Sequence, residues 1–130
     1  MSERKKVFSG TSWEEFVGYS RAIRAWNAIE VSCTVAVDEN GYVVVKNDAY
    51  EQTKYVIKKI EKALIELGAT LNDVVKTRIY VSNIHNWQQI GKAHGEFFKE
   101  IQPASTLFEV STLIGLDFLV EIEATAIVDK

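Results

Sequence analysis

This chain of 130 residues has one cysteine, one proline and one methionine, and no apolar run near the length of a bilayer span. A lone Cys33 cannot close an internal disulfide, and the missing span excludes a helical membrane anchor. The N-terminal MSERKKVF carries charge without a hydrophobic region of the secretory type, which predicts a cytoplasmic protein with no membrane partner. Excess basic charge is also lacking: the net charge is -3, giving no whole-molecule attraction to phosphate and disfavouring nucleic acid as a partner. No GxSxG elbow, Walker glycine loop or GxGxxG turn occurs, leaving serine-hydrolase chemistry and nucleotide cofactors without support. The two histidines, His85 and His94, have no HExxH spacing and only one cysteine to join them, so we expect no metal site.

What is present is 47% hydrophobic and 25% charged sequence, the composition of one globular domain over residues 1–130 with a core of ordinary size. Residues 4–9 read as a short edge strand, and Gly10 to Arg21, broken by Gly10 and Gly18, as a loop carrying Trp13, Phe16 and Tyr19. Strands follow over 22–26 and 28–37, turning near Asn27. In the second, Ile29, Val31, Cys33, Val35 and Val37 share an apolar face, opposite Glu30, Ser32, Thr34 and Ala36. Asp38 to Gly41 predicts a tight turn into a return strand, Tyr42 to Lys46.

Asp48 and Glu51 have capping-box spacing ahead of a helix whose stripe is Thr53, Val56, Ile57, Ile60, Ala63, Leu64 and Leu67, stopped by Gly68. Its outer face, with Lys54, Lys58, Lys59 and Lys62 among acids, reads as solvating. A strand over 74–81 and a helix over 86–101 come next, with His94 on the helix's apolar stripe as a hydrogen-bonded core or interface histidine; Pro103 ends it. Finally 105–110 and 118–126 alternate with period two and read as a hairpin. The order predicts an α+β fold, a mixed β-sheet packed on two α-helices on one face, its other face left for self-association.

Glu121 and Glu123 share one face of the last strand and offer general acid or base capacity, although cross-strand pairing with Lys76 or Arg78 accounts for them equally simply. Cys33, read onto the apolar face, is favoured as a buried structural thiol over a nucleophile.

The segments VGYSRAIRAWNAIEVSCTVAVDENG, LNDVVKTRIYVSNIHNW, FFKEIQPASTLFEV and VEIEATAIV together resemble the Rid family, also called YjgF/YER057c/UK114, in register from Gly18 to Val128. The resemblance implies a homotrimer whose sheets form a central barrel, with a small-molecule metabolite held in a cleft between subunits. Its best-known members hydrolyse enamine and imine intermediates to the 2-oxo acid and ammonia. It matches Val17 to Ser20 with the family's Gly-Pro-Tyr-Ser, making Tyr19 a pocket tyrosine, and Ser32, Cys33 and Thr34 with its Ser-Gly-Gln. Glu121 matches the glutamate that positions the attacking water.

One departure bears on activity. Deaminase members read Pro-Ala-Arg-Ser where this chain reads Pro103-Ala104-Ser105-Thr106, so Ser105 replaces the arginine that grips the substrate carboxylate, and Leu107 and Phe108 make the cleft less polar. A lost charged hydrogen bond costs about 1.5–3 kcal/mol, a factor of roughly 10 to 150 in affinity. Arg21 is the nearest substitute cation, a solvated strand arginine being the alternative. Three functions stay open: a deaminase-like hydrolase, a non-enzymatic ligand-binding or regulatory trimer and, least favoured, the ribonuclease or translation inhibitor that family labels name.

Overall fold

The computed structural model describes residues 4–129. Its elements are β1 (Lys5–Val7), α1 (Ser12–Val17), β2 (Ala22–Ala25), β3 (Ala28–Thr34), α2 (Ala49–Glu66), β4 (Val74–Val81), α3 (Trp87–Phe98), β5 (Ala104–Glu109) and β6 (Val120–Ile127). The six strands form one mixed sheet in the order β1-β2-β3-β6-β4-β5, antiparallel except for the parallel pair β4 and β5. The α+β expectation holds at this level, with six strands where the sequence suggested seven and with a third, short helix.

Along β6, Val120, Ile122, Ala124 and Ala126 are buried, while Glu121, Glu123 and Thr125 are half-buried on the opposite face. The buried set packs with Ile29, Val31, Ile79 and Val81 of the sheet, Val56, Ile57, Ile60 and Leu64 of α2, and Ile90 and Phe98 of α3. At about 25 cal/mol per Å² of apolar surface removed from water, each of the Val, Ile, Leu and Phe side chains contributes about 1.5–3 kcal/mol, so this one-sided core holds both long helices to the sheet. Asp48 caps α2 by accepting from Glu51 N at 3.0 Å. At its other end Gly68 takes a left-handed φ of 83°, and a Cβ there would sit 3.0 Å from Arg24 Nη1, which donates to Leu67 O at 2.7 Å.

Four sequence expectations are corrected. First, 105–110 and 118–126 do not pair as a hairpin: β6 inserts between β3 and β4, and β5 lies on the far side of β4. Alternation identifies faces, not neighbours, and the connection from Val110 to Leu119 is long enough to pass over a strand. Second, Gly10 to Arg21 is not wholly loop. Ser12–Val17 forms a helical turn and a half, closed by Gly18 in the left-handed region at φ 91°.

Third, the return strand reduces to a single bridge, Val37 to Val43, because Val45 and Asn47 adopt positive φ of 45° and 64° and break the extension. Fourth, the faces assigned to residues 28–37 exchange partway. Val31 pairs with Ala124 and Thr34 with Ile122, so Ser32 and Cys33 together oppose Glu123 in a β-bulge. Beyond the bulge Thr34 is fully buried, while Cys33 is partly exposed and its Sγ lies 3.9 Å from Glu123 Oε1.

Candidate functional site

The bulge is pinned by one buried cation. Arg21 Nη1 donates to Cys33 O at 2.7 Å and to Thr34 Oγ1 at 3.0 Å, and Nη2 donates to Tyr19 Oη at 3.4 Å. Its Nε lies 3.3 Å from Glu14 Oε2 without the alignment of a hydrogen bond; the two side chains are 8% and 3% exposed. Arg21 is thus neither in a strand nor solvated. Glu14 in turn accepts from Ser9 N, Ser9 Oγ and Gly10 N, so α1 anchors the approach to β2 and supplies the counter-ion. Of the five guanidinium donors, three are bonded and Nε faces Glu14, which leaves one Nη2 N–H for a ligand and no bidentate fork.

Over this framework lies a hollow of about 200 Å³. Tyr19, Arg21, Ser32, Cys33 and Glu121 line it, with Trp13 and Ile114 as its apolar rim. Five residues selected from the sequence, drawn from three separate segments, therefore meet in one concavity. Ser32 Oγ donates to Ser20 O at 2.8 Å, which orients the bulge, and Ile114 N donates to Glu121 Oε2 at 3.4 Å. Burial and the charges of Glu121 and Glu123 push the Cys33 thiol up to about 12, so it is neutral at physiological pH and not an activated nucleophile.

Three other selected residues lie elsewhere in the chain. Thr34 is buried beneath the bulge. Ser105 and Leu107 stand on β5 at the opposite sheet edge; Ser105 Oγ accepts from Thr77 Oγ1 at 2.8 Å, and Thr77 Oγ1 is 2.9 Å from His94 Nε2. Burial lowers the His94 pKa, in keeping with a neutral imidazole on the helical side of the sheet. Glu123 belongs to a second group on the open face, where Arg78 Nη1 meets it at 3.3 Å and Tyr80 Oη donates to it at 3.0 Å beside the Phe108 ring. One of the two glutamates is therefore paired as expected from register and the other is not.

Sequence reading missed Lys59. Its Nζ donates to Val35 O at 3.0 Å and Val37 O at 2.9 Å, and its side chain forms part of the hollow. Burial, with the Arg21 charge adding to it, lowers its pKa to about 8. The available signal was position: Lys59 falls three after Val56 and four before Ala63, on the border of the apolar stripe and not at its back. Among the described residues no group of three His, Cys, Asp or Glu side chains is placed to hold a metal ion, and no helix is long and apolar enough to cross a membrane.

The family model described as endoribonuclease L-PSP matches residues 11–128. A RutC family protein of Pyrococcus abyssi is 41% identical over 95% of this chain and 96% of its own length. The 3-aminoacrylate deaminase RutC of Acinetobacter baylyi is 34% identical over 83% of this chain and 85% of its own. Among solved structures, a member of the YjgF/YER057c/UK114 family from Mycobacterium tuberculosis superposes with a TM-score of 0.88 at 41% identity, covering 97% of this chain and all of that one. Sequence match and fold agree: the chain belongs to the endoribonuclease L-PSP family, the YjgF/YER057c/UK114 or Rid proteins.

Proposed function

We propose that the hollow binds a small metabolite bearing an imine, enamine or carbonyl group and hydrolyses the imine form to the carbonyl compound and ammonia. The observation that carries this reading is that Glu121 lines the same concavity as Tyr19, Ser32 and Cys33. In this reading Glu121 takes a proton from water as the water oxygen bonds to the imine carbon and passes it to the nitrogen; it then moves the hydroxyl proton the same way as the C–N bond breaks, the C=O forms and the nitrogen leaves as ammonia. The likeness to a 3-aminoacrylate deaminase supports the same reaction class. A homotrimer completes the proposal: Ser105 and Leu107, which the family resemblance puts in the cleft, stand at the sheet edge away from Glu121, and a neighbouring copy would supply them.

The test couples the protein to serine dehydratase and serine and follows pyruvate release. Acceleration over buffer that is lost in Glu121→Gln is expected, and no acceleration would reject hydrolysis of that substrate. Light scattering tests the assembly, since a single-chain mass removes the shared cleft.

A specific observation favours a second reading, non-enzymatic metabolite binding: Arg21, a cation of the same hollow, has only one donor free to hold a carboxylate. That reading predicts thermal stabilisation by a 2-oxo acid without turnover. Ribonuclease action has the least support, because both cations of the hollow are engaged in internal bonds and the net charge is -3.

A further inference from the structure

Lys59 lines two hollows. One is the site of about 200 Å³ already described; the other, about 420 Å³, opens between the β1 end and α2 and is lined by Phe8, Asp38, Tyr55, Lys58 and Lys62 as well as by Arg21 and Lys59. Few lysines on an amphipathic helix are held this way. Its two bonds to Val35 O and Val37 O fix the amine of a side chain that lines both concavities, and three further cations, Arg21, Lys58 and Lys62, line the larger one.

We propose that Lys59 captures a small anionic carbonyl compound, of the 2-oxo acid or aldehyde-acid class, as a reversible imine. The hydrogen bonds permit this. A neutral amine has two N–H groups and one lone pair, so Val35 O and Val37 O keep both their donors when the ammonium loses its third proton, and the lone pair is left free. Burial and the Arg21 charge both favour that loss, opposed by Glu14 and Asp38. With a pKa of about 8, roughly one amine in four is neutral at about pH 7.5, against roughly one in a thousand for an ordinary lysine.

The chemistry balances without any further reagent. The lone pair attacks the carbonyl carbon, a C–N bond forms, and the carbonyl oxygen leaves as water carrying one amine proton and one proton from solvent. The protonated imine keeps one N–H for one of the two backbone carbonyls. The free Nη2 N–H of Arg21 and the ammonium groups of Lys58 and Lys62 are the partners available to the anionic end. This inference rests on the reading of the hollow as a metabolite site, and it names the carbonyl product class as a ligand that the site retains.

Glyoxylate with cyanoborohydride, followed by peptide mapping, tests it on the intact protein. Reduction should fix an adduct on Lys59 at least about tenfold faster than on the exposed Lys92 and Lys99, the α-amine being scored separately. Lys59→Arg, which keeps the cation and its donors but cannot form the imine, should abolish that adduct alone. An adduct spread over the exposed lysines, with Lys59 no faster than they are, would overturn the proposal in wild-type protein without recourse to any variant. Labelling of Lys59 without pyruvate release in the dehydratase assay would leave this inference standing and reject the hydrolase; pyruvate release without labelling would do the reverse.

Discussion

Two arginine–glutamate pairs stand at the same separation, 3.3 Å, on the two sides of Cys33, and their surroundings give them different work. Arg21 and Glu14 are 8% and 3% exposed; Arg78 and Glu123 are 37% and 32% exposed. In the first pair both charges are out of water and face one another, and all but one of the remaining guanidinium donors, with the Glu14 oxygens, are taken up by the bulge and the β1 end. In the second, water competes for both partners. Distance alone is therefore a poor guide to what an ion pair does, and burial with the surrounding hydrogen bonds decides.

The largest expected consequence is thermodynamic. Glu14→Ala leaves Arg21 charged and buried, and should cost about 3–5 kcal/mol in urea unfolding, because breaking a buried pair strands the other charge. A loss below about 1 kcal/mol would mean that the buried pair is no different from the exposed one. Next comes chemistry: if the hollow and not the neighbouring Arg78–Glu123 pair carries it, Glu121→Gln should lower turnover at least about 100-fold, within the range for a lost acid or base, while Glu123→Gln stays within a few-fold. Equal losses would erase the distinction between the two glutamates.

A smaller effect should appear in stability against pH. Lys59 folds with its pKa lowered from 10.5 to about 8, so the unfolded chain holds the extra proton between those values and stability should rise with pH across that window. Cys33 has the opposite sign: with its pKa raised from 9.0 to about 12, the folded state keeps the proton and stability should fall from pH 9 towards 12. Between pH 8 and 9 Lys59 acts alone, facing Arg21, Glu14 and Asp38, and Lys59→Met should flatten the rise in the urea midpoint there. The smallest change is reserved for the exposed pair, where Glu123→Gln should move unfolding by no more than about 1 kcal/mol in the same assay.

Much of the architecture was legible because hydrophobic period reports which face of an element is buried. The α2 stripe, the alternation along β6 and the place of His94 on α3 all follow from that rule. Strand neighbours were not legible, since β5 and β6 have the same period whether they pair with one another or flank β4. Nor was the face of Cys33: one extra residue in a strand leaves its composition unchanged and turns the side chains after it to the other side. Motif resemblance points to Tyr19, Ser32, Cys33 and Glu121, whereas Lys59 carries no such signal, since lysine on a mixed-charge helix usually points to water.

By itself, then, the sequence determined the types of the long elements and the one-sided core, which depend on local pattern, and it put serine at 105, which is residue identity alone. Tertiary structure decided the rest. Arg21 became a buried brace and not a solvated cation, Lys59 came to line two hollows, and Ser105 was set apart from Glu121. Those outcomes depend on which strands are neighbours and on where the bulge falls, and such long-range choices leave no periodic trace in the chain.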